Sequence, residues 1–180
     1  MIKMKLITFL LILISTVYST HAQEINDNSR NIAVGPLPSS IQKVTYSEIA
    51  DLKNYYGQIY FDEIPAYQIF RDGKILVSLI DMGTKIKKLQ QPLEKVQIQR
   101  DARLKKSKYA DFENSEIITV NQTRYLVTRF QSHGNELISI SSAYNSLDQQ
   151  VYGIIEFKSS DKKRANEILN EILHAIHLKK

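Results

Sequence analysis

The chain has 180 residues, no Cys, 24 Lys and Arg against 19 Asp and Glu, and a formal net charge of +5. Without Cys it has no disulfide, no thiolate nucleophile and no cysteine-ligated metal. This charge is small beside that of typical nucleic-acid binders, which cluster many basic residues, so we expect no nucleic acid as a partner.

Residues 1–22 have the pattern of a secretory signal peptide. Two lysines precede an apolar run over residues 6–17, and Ala22 ends a small-residue cleavage pattern. The run is shorter than the roughly 20 residues that span a bilayer core. We therefore expect cleavage, a secreted or periplasmic location and no transmembrane segment afterwards; retention as a membrane anchor is the alternative. Because the chain has no Cys, it carries no lipid anchor of the bacterial lipoprotein type.

The next stretch, residues 23–43, is polar and contains Gly35, Pro36 and Pro38, which predicts a flexible arm. Residues 44–180 then suit a single domain, since domains commonly have about 100–150 residues. Thr45 and Glu48 have the spacing of a capping box, which predicts a short helix over residues 46–55.

A β-hairpin is predicted over residues 66–80. Two strand-like segments, 66–71 and 74–80, flank Asp72-Gly73, and an Asp-Gly pair supplies the positive φ angles of a type I′ turn.

The middle of the chain, residues 84–108, has helical character that Pro92 interrupts. Proline suits the first turn of a helix, which predicts a second helix over residues 93–106. Leu93, Val96 and Leu104 give that helix a thin apolar stripe. Val96 also alternates with Ile98, so a strand is the alternative.

The last third of the chain predicts a four-strand meander and a helix. The segments 116–120, 124–131, 136–144 and 151–158 are rich in β-branched and aromatic residues. Their short connections favour antiparallel neighbours. A helix then begins near Ser159 or Ser160, with Asp161 in its first turn. Its apolar stripe comprises Ala165, Ile168, Leu169, Ile172, Leu173 and Ile176.

The predicted class is α+β: a central antiparallel sheet, made of the hairpin and the meander, flanked by helices and closed by a C-terminal amphipathic helix. Three stretches, SEIITVNQTRYLVTRF, ISSAYNSLDQQVYGIIEF and ANEILNEILHAI, resemble the PsbP/DcrB-like superfamily. This superfamily comprises antiparallel α/β/α sandwiches and includes exported bacterial domains and a photosystem extrinsic subunit. The resemblance covers residues 57–178. It implies the sandwich fold but no functional residue, because its members do varied, mostly non-enzymatic work.

A basic run over residues 85–108 is the strongest indication of a binding surface. Nine Lys and Arg face only Glu94 and Asp101 there, which suits an anionic envelope surface or an acidic envelope protein. An ordinary solvated helix face is the alternative. The candidate binding residues are Lys85, Lys87, Lys88, Arg103 and Lys106.

Catalytic and metal motifs are weak throughout. His133 would need one of Ser139, Ser141 or Ser142 as a nucleophile, yet no G-x-S-x-G elbow is present. His174 and His177, with Glu171 nearby, fall short of the four ligands of a usual structural metal site. The carboxylates Asp62 and Glu63 are candidates for acid–base chemistry. The cluster Tyr55, Tyr56 and Tyr60 is a candidate binding surface, and Asn121 begins a glycosylation sequon. We predict no catalytic residue, no metal and no cofactor.

These patterns together predict an exported, non-enzymatic binding or accessory domain of the cell envelope. The alternative is a small-ligand carrier or an enzyme whose site is assembled from residues distant in sequence. A deep pocket lined by Tyr and His133 would favour that alternative.

Overall fold

The computed structural model describes residues 32–45, 48, 67–84 and 90–178, which fall within one compact unit. The predicted signal peptide and most of the predicted helix over residues 46–55 lie outside the described residues.

The described chain contains two sheets and two α-helices. The strands are β1 (Ile32–Val34), β2 (Gln42–Lys43), β3 (Tyr67–Asp72), β4 (Ile75–Thr84), β5 (Ala110–Val120), β6 (Thr123–Ser132), β7 (Asn135–Ser142), β8 (Gln149–Phe157) and β9 (Ile176–Leu178). The helices are α1 (Leu93–Lys106) and α2 (Lys162–Ala175), and a 3-10 turn, Ser159–Asp161, precedes α2. The large sheet has seven strands in the order β2-β3-β4-β8-β7-β6-β5, while β1 and β9 form a separate pair. Every pairing is antiparallel, which confirms the α+β class.

The meander β5 to β8 forms as predicted, and the β5–β6 and β6–β7 turns each have two residues with positive φ. Asn121 and Gln122 both have positive φ, 48° and 66°, and so do His133 and Gly134, at 52° and 75°. Two consecutive positive φ angles are what a type I′ hairpin turn requires.

The predicted turn of the first hairpin is wrong by one residue. Asp72 pairs with Ile75, so the two-residue loop is Gly73-Lys74 and Asp72 belongs to β3. Gly73 has a φ of 57°. Glycine at the first loop position is typical of a type II′ turn, and only that residue then needs positive φ. The positive φ is thus supplied without Asp72.

Helix α2 covers one face of the large sheet with the predicted aliphatic stripe. Its buried side chains are Ala165, Ile168, Leu169, Ile172, Leu173 and Ala175. They share a core with strand residues that include Val77, Val127 and Ile140. The last predicted stripe residue, Ile176, is also buried, but the helix ends at Ala175 and Ile176 begins β9. We call this side of the sheet the α2 face.

The predicted flexible arm, residues 23–43, is packed against the domain over its described part. Strand β1 pairs with β9, and Gly35 N donates to the carbonyl of Ala175 at 2.8 Å. Ile32 and Ile41 are buried in the core. The composition of residues 32–43 is polar, but a few apolar residues are spaced around the two prolines, and burying them stabilises this part of the segment.

Two sets of polar contacts involve segments outside the meander. Glu48 Oε2 accepts hydrogen bonds from the backbone N–H and the hydroxyl of Thr45, at 2.9 and 2.7 Å, as the capping box predicts. On α2, Arg164 reaches Asp72 at 2.6 Å and Glu171 at 3.1 Å, which ties the first hairpin to the helix. Neither helix of the described chain is long and apolar enough to cross a membrane.

Candidate functional site

Helix α1 is attached to strands β5 and β7 of the large sheet, and we call the side of the sheet that carries these contacts the α1 face. It spans Leu93–Lys106, as predicted, so the alternative of a strand is wrong. The helix begins directly after Pro92, whose carbonyl accepts from the N–H groups of Lys95 and Val96, both at 3.1 Å. Leu93 is its buried side chain. An apolar stripe therefore does little to hold α1 in place.

Polar contacts hold α1 on the sheet instead. Gln97 Nε2 donates to the carbonyl and the hydroxyl of Ser115 on β5, at 3.1 and 3.0 Å. The Ser115 hydroxyl donates in turn to Asp101, 2.8 Å from both carboxylate oxygens. At the middle of the helix, Arg100 Nη1 donates to Ser139 at 3.2 Å and Nη2 to Ser141 at 2.9 Å. Both serines lie on β7, so α1 bridges two strands that β6 separates.

Beside these contacts a pocket of about 450 Å³ opens between α1 and the sheet. This volume lies within the range of small-molecule sites, about 300–1,000 Å³. The lining residues come from α1, from β4, from the segment before α1 and from the β7–β8 region. They are Met82, Gln91, Val96, Gln99, Arg100, Arg103, Ser141, Tyr144, Gln150 and Tyr152. Two are arginines and, among the described residues, none is Asp or Glu, so the lining charge is positive.

The Arg100 guanidinium is partly buried and lacks a carboxylate partner among the described residues. Its Cζ lies 5.7 Å from the ring centroid of Tyr152. Burial lowers the pKa of Arg100, and the like charge of Arg103 lowers it further, whereas Tyr152 and Asp101 oppose the shift. Arginine nevertheless stays charged in proteins, so the pocket keeps a cation whose hydrogen-bond partners are neutral.

The acids of α1 do not neutralise this pocket. Glu94 is bonded to Arg124 of β6, and Asp101 accepts from Ser115. The bond from Arg124 is also the chief reason that the pKa of Glu94 lies below its usual value.

Two of the five predicted binding residues, Arg103 and Lys106, lie on α1 within the described residues. Arg103 lines the pocket, and Lys106 is exposed on the same helix outside it. Lys85, Lys87 and Lys88 lie outside the described residues, so their role stays a prediction.

The other candidates serve local contacts. His133 Nδ1 lies 2.9 Å from the hydroxyl of Ser132, and its ring stacks on Tyr109. Two of the strand serines accept from Arg100, and Ser142 accepts from Val151 N at 3.0 Å.

The three-residue metal candidate is likewise dispersed. His174 Nδ1 lies 2.8 Å from the carbonyl of Asn170, Glu171 is bonded to Arg164, and His177 lies on β9. The described residues contain no group of three or more His, Asp or Glu that could hold a metal ion. Asn121 of the sequon lies in the β5–β6 turn and donates to the carbonyl of His174 at 3.2 Å. The predictions on Asp62, Glu63, Tyr55, Tyr56 and Tyr60 lie outside the described residues.

The basic run over residues 85–108 includes Arg100, but Arg100 is not among the predicted binding residues. A signal was present: Arg100 stands four residues after Val96 and four before Leu104, so it lies within the predicted apolar stripe. A cation in such a stripe faces the sheet rather than solvent. Its partners, Ser139 and Ser141, are about 40 residues away in sequence and could not be inferred.

No protein-family model and no curated protein matches this sequence. Among solved structures, the chain is similar to cyanobacterial PsbP (CyanoP) from Synechocystis sp. PCC 6803, with a TM-score of 0.45 and 8% sequence identity. The match covers 78% of this chain and 83% of that protein. Membership of the PsbP/DcrB-like superfamily stays a prediction.

Proposed function

We propose that this chain is an exported, non-enzymatic binding or accessory domain of the cell envelope, and that it meets an anionic partner through helix α1. The observation that carries the proposal is that the acids of α1 have hydrogen-bond partners, whereas several of its cations have no carboxylate partner among the described residues. Its two acids are engaged by Arg124 and Ser115, whereas Lys95, Arg103 and Lys106 are exposed and have no carboxylate partner among the described residues.

Unpaired cations along one helix attract an anionic surface and steer its approach. The hydrogen bonds that attach α1 to the sheet involve Gln97, Arg100 and Asp101, so they leave the three exposed cations available to a partner. Secretion remains part of the proposal and is supported by the signal pattern in residues 1–22. The α/β/α sandwich is likewise proposed, since Arg100 of α1 contacts Ser139 of β7, whereas the adjacent Ile140 belongs to the core that α2 shares.

Charge reversal tests this function. Lys95→Glu, Arg103→Glu and Lys106→Glu are combined in one variant, and Lys163→Glu, at an exposed position of α2, is the matched control. Partners are cross-linked in the native envelope, recovered and identified by mass spectrometry. The expected result is a partner set that wild type and the Lys163 variant share and that the triple variant loses. Unchanged recovery by a folded triple variant would exclude α1 as the contact surface.

The pocket supports a second candidate function, that of a small-ligand carrier. Its volume of about 450 Å³ and its two tyrosines fit this alternative, although His133 is not among the lining residues. A carrier would bind a small anion whether or not a protein partner is present, which separates the two candidates experimentally.

A further inference from the structure

We propose that the pocket beside α1 binds a small carboxylate attached to an aromatic or similarly flat apolar body. This inference rests on the carrier function proposed above and names the class of its ligand.

Arg100 is the reason to expect an anionic group on the ligand. A guanidinium has five N–H donors, and the two serine hydroxyls take one from Nη1 and one from Nη2. Three donors remain without an acceptor among the described residues. The serines hold the guanidinium in place but leave its charge uncompensated, because a hydroxyl is neutral. A partly buried charge favours a charged partner, and the described residues offer Arg100 none.

A carboxylate fits this cation better than a phosphate. The planar fork of an arginine matches the two oxygens of a carboxylate in a bidentate pair. Phosphate sites commonly add backbone N–H groups from a glycine-rich loop or a helix N-terminus. In this pocket the charged groups are side chains, and only Arg100 is partly buried, whereas Arg103 is exposed and therefore screened by solvent. One shielded cation balances a single negative charge.

The aromatic and apolar residues of the pocket lining are the reason to expect a flat apolar body on the ligand. The lining includes the rings of Tyr144 and Tyr152 and the apolar side chains Val96 and Met82. Aromatic walls favour flat ligands, which stack at centroid separations of about 4.5–7 Å. Because the Tyr152 ring lies 5.7 Å from Arg100 Cζ, a carboxylate on the guanidinium would bring its attached ring next to that tyrosine.

The test uses the folded protein labelled with ¹⁵N, and the probes are benzoate, benzamide, phenyl phosphate and inorganic phosphate. Titrations follow the Nε–H signal of Arg100 and the backbone amides by NMR. We expect saturable shifts with benzoate and at least tenfold weaker binding of benzamide, since the neutral amide forms no charge-assisted pair. Arg100→Gln should abolish the benzoate shifts, and Arg103→Gln should weaken binding by about two- to fivefold, as an exposed ion pair does. The control Lys163→Gln should bind as wild type.

Because Arg100 also attaches α1 to β7, Arg100→Lys is the second variant. It keeps the charge and loses the fork, so we expect about tenfold weaker binding of benzoate with an unchanged amide spectrum elsewhere. Equal binding of benzoate and benzamide, or full binding by folded Arg100→Gln, would overturn the inference. Binding of phenyl phosphate without benzoate would show that the ligand class is wrong while the carrier function stands. If no probe shifts the Arg100 signal or the amides of the pocket, both the inference and the carrier function fail.

Discussion

Helix α2 buries six side chains against the sheet, whereas helix α1 buries Leu93 and is otherwise attached by hydrogen bonds. On the α2 face the contact is apolar, both aliphatic and aromatic. Burial of apolar surface contributes roughly 25 cal/mol per Å² without directional demands. On the α1 face the contacts are directional: Gln97 and Arg100 donate to hydroxyls of β5 and β7, and Asp101 accepts from the β5 hydroxyl. Such bonds contribute about 0.5–1.5 kcal/mol net each between neutral groups and about 1.5–3 kcal/mol where one partner is charged.

The two faces of the large sheet therefore differ in the kind of contact that they make with their helices. We expect the α2 face to supply most of the stability of the domain, because α2 shares the main apolar core. The α1 face carries polar groups and a pocket that a close-packed core would fill. The buried hydroxyl of Thr128 lies between Ser115 and Ser139 across the strands and has no hydrogen-bond partner among the described residues.

The largest expected effect comes from truncating the α2 stripe. Ile172 is fully buried, so Ile172→Ala should lower the free energy of unfolding by about 2–5 kcal/mol through lost burial and a residual cavity. Ile98→Ala on α1 is the control, because Ile98 is 70% exposed, and it should change stability by no more than about 0.5 kcal/mol. Urea denaturation measures both. Similar losses in the two variants would contradict the assignment of stability to the α2 face.

A smaller effect is expected in the local stability of the two helices. Native-state hydrogen exchange should show the amides of α1 opening at least tenfold more readily than those of α2, a gap of about 1.4 kcal/mol. Ser115→Ala removes the hydroxyl that joins Gln97 to Asp101, so it should widen the gap without altering α2. Exchange of both helices as one cooperative unit would remove the contrast between the faces.

The smallest effect concerns Glu156, which lies on the α1 face opposite Leu137. Burial is the main cause that raises the pKa of Glu156 above 4.5, against lowering by Asn135 and Lys158. The folded state therefore holds this proton more tightly than the unfolded state, and stability falls as pH rises from about 4.5 through the raised pKa. Glu156→Gln should flatten this part of the profile of melting temperature against pH. A variant whose profile keeps the wild-type slope between pH 4 and 7 would show that Glu156 does not titrate in this way.

Local patterns predicted the elements of this fold well. Pro92 marked the start of α1, and the spacing from Ala165 to Leu173 identified the buried side of α2, because helix periodicity and proline geometry act within a few residues. The errors arose where distant segments meet. Residues 32–43 were predicted to be flexible, yet β1 is held by β9 at the other end of the chain. The hairpin turn moved by one residue because the pairing of β3 with β4, rather than the Asp-Gly pair, decided its register.

The candidate site divides in the same way. The amino-acid sequence by itself determined that residues 85–108 are basic, that α1 is amphipathic only in a thin stripe and that Arg100 lies within that stripe. Only the tertiary structure decided that Arg100 meets Ser139 and Ser141 and that Tyr144 and Tyr152 stand beside it. Helix periodicity is a local property of the chain, whereas the partners of a buried charge are set by which strands pair and in which register.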